Sequence, residues 1–279
     1  MSTTGQPAVI EQPVFMASVF KSGTWLVRRI ITDITGLEFN EPAIVPGEMN
    51  HEDPSLIEFK PGHFFSWHSV PTAPVRELLK ARNAKVILLT RNIFDLSVSM
   101  YRHFANDIDA EIGRGAGQKS LFSDMSPSQG IALTINGAWT PGFGWTGMGP
   151  HLHQIQEMLA FAREYPCCVL SFEQLMEDRA GQVQRIADYL GVPLSAQRLA
   201  EVAQGSSFGS MKAAAEAAGG ASHFQEGKPG GHAKHLFNYH VHMIRHLQRV
   251  HAPELDRYAR EAGMRELTYC MLDDRQGNS

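Results

Sequence analysis

Four short apolar runs recur along the chain, and each gives way to a segment with different spacing. Residues 13–19 (PVFMASV) and 84–90 (AKVILLT) are nearly unbroken, 62–67 (GHFFSW) is a shorter version, and 167–172 (CCVLSF) is a fourth. Runs of this length, rich in Val, Ile and Phe, predict strands buried on both faces. Helical spacing follows the first run over Trp25–Ile34, where Val27 with Ile31 and Ile30 with Ile34 make one apolar stripe. Helices are also predicted over 74–81, 94–104, 173–177 and 180–190, the last stopped by Gly191 and Pro193.

Strands that alternate with helices predict an α/β fold with a central parallel sheet and helices on both faces. No second domain boundary is visible, so 1–279 is read as one domain. Two segments break the rhythm. Residues 105–149 hold many glycines and aromatics, with one short helix near 127–135, and 205–235 are rich in Gly, Ala and Ser. Long irregular stretches inside a compact domain are usually functional.

Composition narrows the classes little. A net charge of -4 offers no basic surface for nucleic acid, and no run of 18 apolar residues suggests a membrane span. The first residues, MSTTGQPAVIEQP, lack the basic and apolar regions of a secretion signal. Cys167, Cys168 and Cys270 have no metal-ligand spacing and make no disulfide framework, so the expected compartment is the cytoplasm and no metal is expected.

Ligands of open parallel sheets bind beyond the carboxyl ends of the strands. Residues 21–25, 67–71, 91–99 and 172–173 all fall there. Lys21-Ser22-Gly23-Thr24 lies between the first strand and its helix, where unsatisfied amides favour an anion, Gly23 allows close approach and Lys21 adds a cation. The lysine precedes the glycine, so the Walker arrangement G-x-x-x-x-G-K-S/T is absent and an ordinary ATPase is not supported. Alone, this tetrapeptide is also an ordinary surface turn. Arg91, directly after a buried strand, offers a fork of donors suited to phosphate, and Ser99 follows two helical turns later. The alternative for Arg91 is a salt bridge to Asp95.

Together these stretches resemble the cytosolic-type sulfotransferases. Phe20 to Trp25 is similar to their P-K-S-G-T-T-W loop, and Arg91 to Ser99 to their R-N-P-x-D-x-x-V-S motif. VLSFEQLMED (169–178), SSFGSMK (206–212) and FQEGKPGGHAKHL (224–236) follow in family order. The resemblance implies a P-loop-NTPase-like fold and transfer of a sulfonate from 3'-phosphoadenosine 5'-phosphosulfate (PAPS) to a small-molecule hydroxyl or amine. Direct in-line transfer is implied, with no metal. His68, in a turn resembling T-H-x-P at 67–71, would be the base, and Lys21 would stabilise the leaving oxygen. Ser22, Gly23 and Thr24 would cradle the 5'-phosphosulfate, Arg91 and Ser99 the 3'-phosphate, and Trp25, Phe172 and Phe208 the adenine. Ser207, Gly227 and Lys228 complete the expected donor contacts. Phe64, Phe65, His103, Phe143, Trp145, Met148 and His151 are candidates for an apolar acceptor pocket, although packing explains the aromatic ones equally well.

The departures are specific. The first loop is one residue shorter than the common form, and Ile93 replaces proline. Gln225 and Glu226 stand where Arg and Lys are usual, with Lys228 or Lys234 available to compensate, and His232 replaces Trp and Phe172 Tyr. A kinase-like phosphotransferase, or a nucleotide-binding scaffold without catalysis, remains the alternative. The family's short C-terminal dimer motif has no match here, so a homodimer stays open.

Overall fold

A computed structural model of the chain describes residues 10–40, 53–68, 70–106, 121–140, 143–217 and 229–272. Its elements begin with β1 (Val14–Ser18), α1 (Thr24–Thr35), β2 (Glu38–Asn40), β3 (His63–Trp67), α2 (Ala73–Ala81), β4 (Lys85–Thr90) and α3 (Ile93–Ala105). There follow α4 (Pro127–Asn136), β5 (Ala138–Thr140), β6 (Phe143–Trp145), α5 (Gly149–Glu164), β7 (Cys167–Ser171), α6 (Phe172–Glu177) and α7 (Arg179–Leu190). Last come α8 (Ala196–Gly205), α9 (Phe208–Ala217), α10 (Asn238–His251) and α11 (Leu255–Glu261).

Five strands form one sheet in the order β2-β3-β1-β4-β7, and every pairing is parallel. Alternation along each strand explains the unbroken apolar runs. Phe15, Phe65, Val86, Leu88 and Val169 face one cluster, with α2, α3, α5 and α10 against it. Val14, Met16, Phe64, Ile87, Leu89 and Leu170 face the other, under α1, α7 and α8. A sheet covered on both sides has no polar face to write into the sequence.

The sequence-predicted strands are recovered to within one residue at either end. Phe172 is the exception in kind: it opens α6, because Ser171 caps that helix by accepting the amide of Gln174 at 3.1 Å. The segment 105–149 holds more structure than its composition suggests. Within it, Ser126 and Gln129 form a reciprocal capping box that starts α4, and β5 pairs antiparallel with β6. The Ala-rich stretch inside 205–235 is the helix α9, as its composition favours.

Phe64, Phe65 and Met148, expected at an acceptor pocket, are at most 1% exposed and belong to the two clusters. Phe65 stacks on Phe15 with centroids 5.8 Å apart. They are packing residues here: the pleat turns Phe64 and Phe65 of β3 into the core on opposite faces, and Met148, at the start of α5, lies in the first cluster.

Candidate functional site

Parallel strands end at one edge of the sheet, so β1, β3, β4 and β7 deliver their following residues to the same place. Those residues are the 19–23 loop, His68, Arg91 and Phe172. The loop is tightly wound. Lys21 has φ 66° and Gly23 φ 98°, both left-handed, and Ser22 is buried with its hydroxyl donating to the Val19 carbonyl at 2.6 Å. Ser22 therefore holds the turn with its side chain. Helix α1 begins at Thr24, whose hydroxyl is 2.9 Å from that of Ser18, and its first amides have no intrahelical acceptor. They are the ones an anion in the loop would meet.

Gly23 is closely approached from outside the loop. A Cβ there would sit 2.9 Å from Cδ2 of Phe172. Gly23→Ala is expected to destabilise the protein by about 1–2 kcal/mol from the left-handed backbone alone, with more from displacing Phe172. Gly191 has a similar conformation, φ 76°, but no heavy atom within 4 Å of its would-be Cβ. Urea unfolding of Gly23→Ala and Gly191→Ala side by side isolates the Phe172 contribution, and equal losses would remove it.

Two side chains far apart in sequence are fastened to this loop's backbone. Arg91 Nη1 donates to the Lys21 carbonyl at 2.8 Å, and His68 Nδ1 lies 2.9 Å from the Ser18 carbonyl. A carbonyl only accepts, so His68 Nδ1 carries a proton. Gln154 of α5 donates to the same carbonyl at 3.2 Å. Lys21 Nζ is 3.5 Å from Nδ1 of the buried His103, which must accept because an ammonium only donates.

Arg91 is 8% exposed, and its guanidinium lies 4.4 Å from the ring centre of Phe172. Its Nε is buried, and among the described residues it has no hydrogen-bond partner and no carboxylate within ion-pair distance. Burial lowers its pKa, opposed by the charges of Glu173 and Asp95. Asp95 is not its salt-bridge partner. That carboxylate takes the amides of Gly230 and His232 at 2.7 and 2.8 Å and His232 Nδ1 at 3.0 Å. Burial alone would raise the Asp95 pKa, but these hydrogen bonds and the His232 charge outweigh it and hold the group below the usual value. His232, standing where the related motif has Trp, thus ties α3 to the turn at 231–234.

The remaining expectations divide. Ser99 lies on α3 one turn before His103, partly exposed. Ser207 caps α9 by accepting the Ser210 amide at 3.2 Å, and Phe208 is the first residue of that helix. Trp25 is 48% exposed and sits edge-on to Phe39 at 5.5 Å, with Arg28 5.0 Å over its ring. Phe143 belongs to β6. Gln225, Glu226, Gly227 and Lys228 lie outside the described residues. A chain of rings leads away from Lys21. Phe20 meets His103 at 5.0 Å, His103 meets Phe104 at 5.7 Å, Phe104 meets Trp145 at 4.9 Å, and Trp145 stacks on His151 at 5.0 Å. Phe20 and Glu173 entered the sequence reading only as members of longer stretches, with no role given, and Gln154 was not singled out at all; its place on α5, facing the strand ends, was the available signal. Among the described residues no cluster could hold a metal ion, and no helix is long and apolar enough to cross a membrane.

Comparison with known proteins agrees with this arrangement. The sulfotransferase domain model matches residues 11–258. Sulfotransferase 2B1 of Mus musculus is 32% identical over 136 residues, 47% of this chain and 33% of that protein. Sulfotransferase 1A1 of Bos taurus is 24% identical over 176 residues, 63% of this chain and 52% of that protein. The matched stretches thus span about half, or less, of these relatives. A mouse sulfotransferase complexed with PAP superposes with a TM-score of 0.65 at 14% identity, covering 91% of this chain and 89% of the other. Retinol dehydratase, in complex with androsterone and inactive cofactor PAP, gives 0.60 at 15% identity, covering 88% and 81%. These two superpositions show a shared fold.

Proposed function

Because the chain belongs to the sulfotransferase domain family, we propose that it transfers the sulfonate of PAPS directly to the hydroxyl of a small-molecule acceptor. The observation that carries this reading is the convergence on one loop. Arg91 and His68 are each hydrogen-bonded to the backbone of residues 18–21, and that loop opens into the N-terminus of α1. The buried, unpartnered Nε of Arg91 fits a phosphate, as does the glycine pressed against Phe172.

In this reading His68 Nε2 takes the acceptor proton while its Nδ1 stays on the Ser18 carbonyl, which aims the ring. Lys21 neutralises charge on the leaving oxygen, and the amides of Gly23 and Thr24 receive the phosphate beside it. Arg91 and Ser99 hold the 3'-phosphate, and Phe172 lies under the adenine. The PAPS leaving group carries its negative charge into this cationic, amide-lined cradle, so the scheme calls for no metal. His103, Trp145 and His151 face the acceptor. An amine acceptor would need the same base. The two hydrophobic clusters share one sheet, which supports reading the chain as one domain, and three unpaired cysteines favour the cytoplasm.

Calorimetric titration with PAP, ATP and ADP, with and without magnesium, tests the donor. PAP should bind selectively without metal, and Arg91→Ala should weaken it about 10- to 100-fold, the worth of a charged hydrogen bond. Binding of ATP with magnesium in place of PAP would instead indicate a phosphotransferase.

A further inference from the structure

Glu173 is the charged group at this site that the scheme above does not use. It follows Phe172 in the first turn of α6 and is 9% exposed. One carboxylate oxygen, Oε2, accepts the Asn92 amide at 3.1 Å, and the other is buried with no partner among the described residues. Nearby, the Nε of Arg91 is buried and unpartnered as well. Two opposite charges thus share a desolvated corner, each with one unsatisfied atom. Such a corner is stable only if a ligand or a proton completes it.

Arg91 faces Glu173 from the end of β4, and Asp95 from α3. Glu266, in the turn at 265–267, is engaged by the Ser171 hydroxyl at 2.8 Å. Arg179, on α7, is turned to the Ser206 carbonyl and to Met176. Asp95 is committed as an ionised group by its three hydrogen bonds from Gly230 and His232. Among the described residues Glu173 has only backbone amides, that of Asn92 and its own, to favour its charge, so it is the carboxyl free to change state. Burial pushes it up to about 7, with Arg91 opposing.

Resting on the donor reading above, we infer that Glu173 is a positioning residue for Arg91 that takes up one proton from solvent when the donor's 3'-phosphate docks. In the free protein Arg91 is the cation that favours ionised Glu173. A bound phosphate cancels that help and adds a negative charge to the same corner, so the second anion becomes too costly and is neutralised. The proton settles on the oxygen that has no partner. Arg91 is then shared with one anion instead of two.

The experiment is titration of the full chain with PAP at pH 8, where both the free phosphate and Glu173 are mostly ionised. It is run in two buffers of different ionisation enthalpy. The difference between the observed heats gives the protons taken up, expected to approach one per PAP bound. Glu173→Gln, with its neutral amide of the same shape, should still bind PAP and lose that uptake. Heats independent of buffer in the native protein, or uptake undiminished in Glu173→Gln, would overturn the inference while leaving the donor reading standing. No PAP binding at all would overturn both. Should the variant not fold, infrared difference spectra of the native protein decide. The carbonyl band of a protonated carboxylic acid must appear on adding PAP, and its absence is equally fatal.

Discussion

His68→Ala lowers kcat by about two to four orders of magnitude, the usual worth of a general base, while PAP binding stays within a few-fold of native. The separation follows from where the ring is held. Its Nδ1 contacts are to Ser18, at 2.9 Å to the carbonyl and 3.2 Å to the hydroxyl, and neither atom is assigned to the donor's phosphates. Phe20 meets the ring edge-on at 5.5 Å and limits its swing. Asparagine at 68 can copy the Nδ1 contact but carries no basic nitrogen, so His68→Asn should be as slow as alanine. The assay is steady-state turnover with any acceptor found in a screen of phenols, alcohols and amines, beside PAP calorimetry. Activity retained in both variants would remove His68 from the chemistry.

Lys21→Ala is expected to cost about two to three orders of magnitude in kcat, comparable with removing one group that stabilises developing negative charge. Affinity for PAP should fall much less. The ground-state phosphates keep Arg91 and the helix amides, and the lysine's special task arises only as the sulfur–oxygen bond breaks. Lys21→Arg should rescue poorly. A guanidinium is planar and larger than an ammonium, and it would have to fit beside His103 and Phe20, 3.5 Å and 5.8 Å from the native Nζ. Equal losses in kcat and in PAP affinity would make Lys21 a binding residue only.

The sheet was legible because four of its strands are covered on both faces, which leaves an apolar run that no helix of similar length imitates. β2 was not, since three residues with exposed Glu38 and Phe39 carry no periodic signal. The β5–β6 hairpin was hidden likewise, by two three-residue strands among glycines. At the site, the order of the loops after the strands was enough to place Lys21, His68, Arg91 and Phe172 together. What sequence could not give is which partner each polar group chooses. Asp95 lies four residues from Arg91 and looked like its counter-ion, yet it is satisfied by a turn more than 130 residues away. Nor could sequence give the neighbours of Trp25, which as the second residue of α1 lies against Phe39 and Arg28.

The helix caps around the site impose an order on how it is made. Asn92, which caps α3, also donates to the carbonyls of Glu266 and Tyr269 at 2.6 and 2.8 Å, and Ser171, which caps α6, donates to Glu266. The last strand of the sheet ends at Ser171, so a nascent chain possesses every strand almost a hundred residues before those partners leave the ribosome. At ordinary elongation rates that interval is on the order of ten seconds. During it the sheet can assemble around a donor pocket whose walls are still loose, and synthesis of residues 266–271 is the event that tightens them.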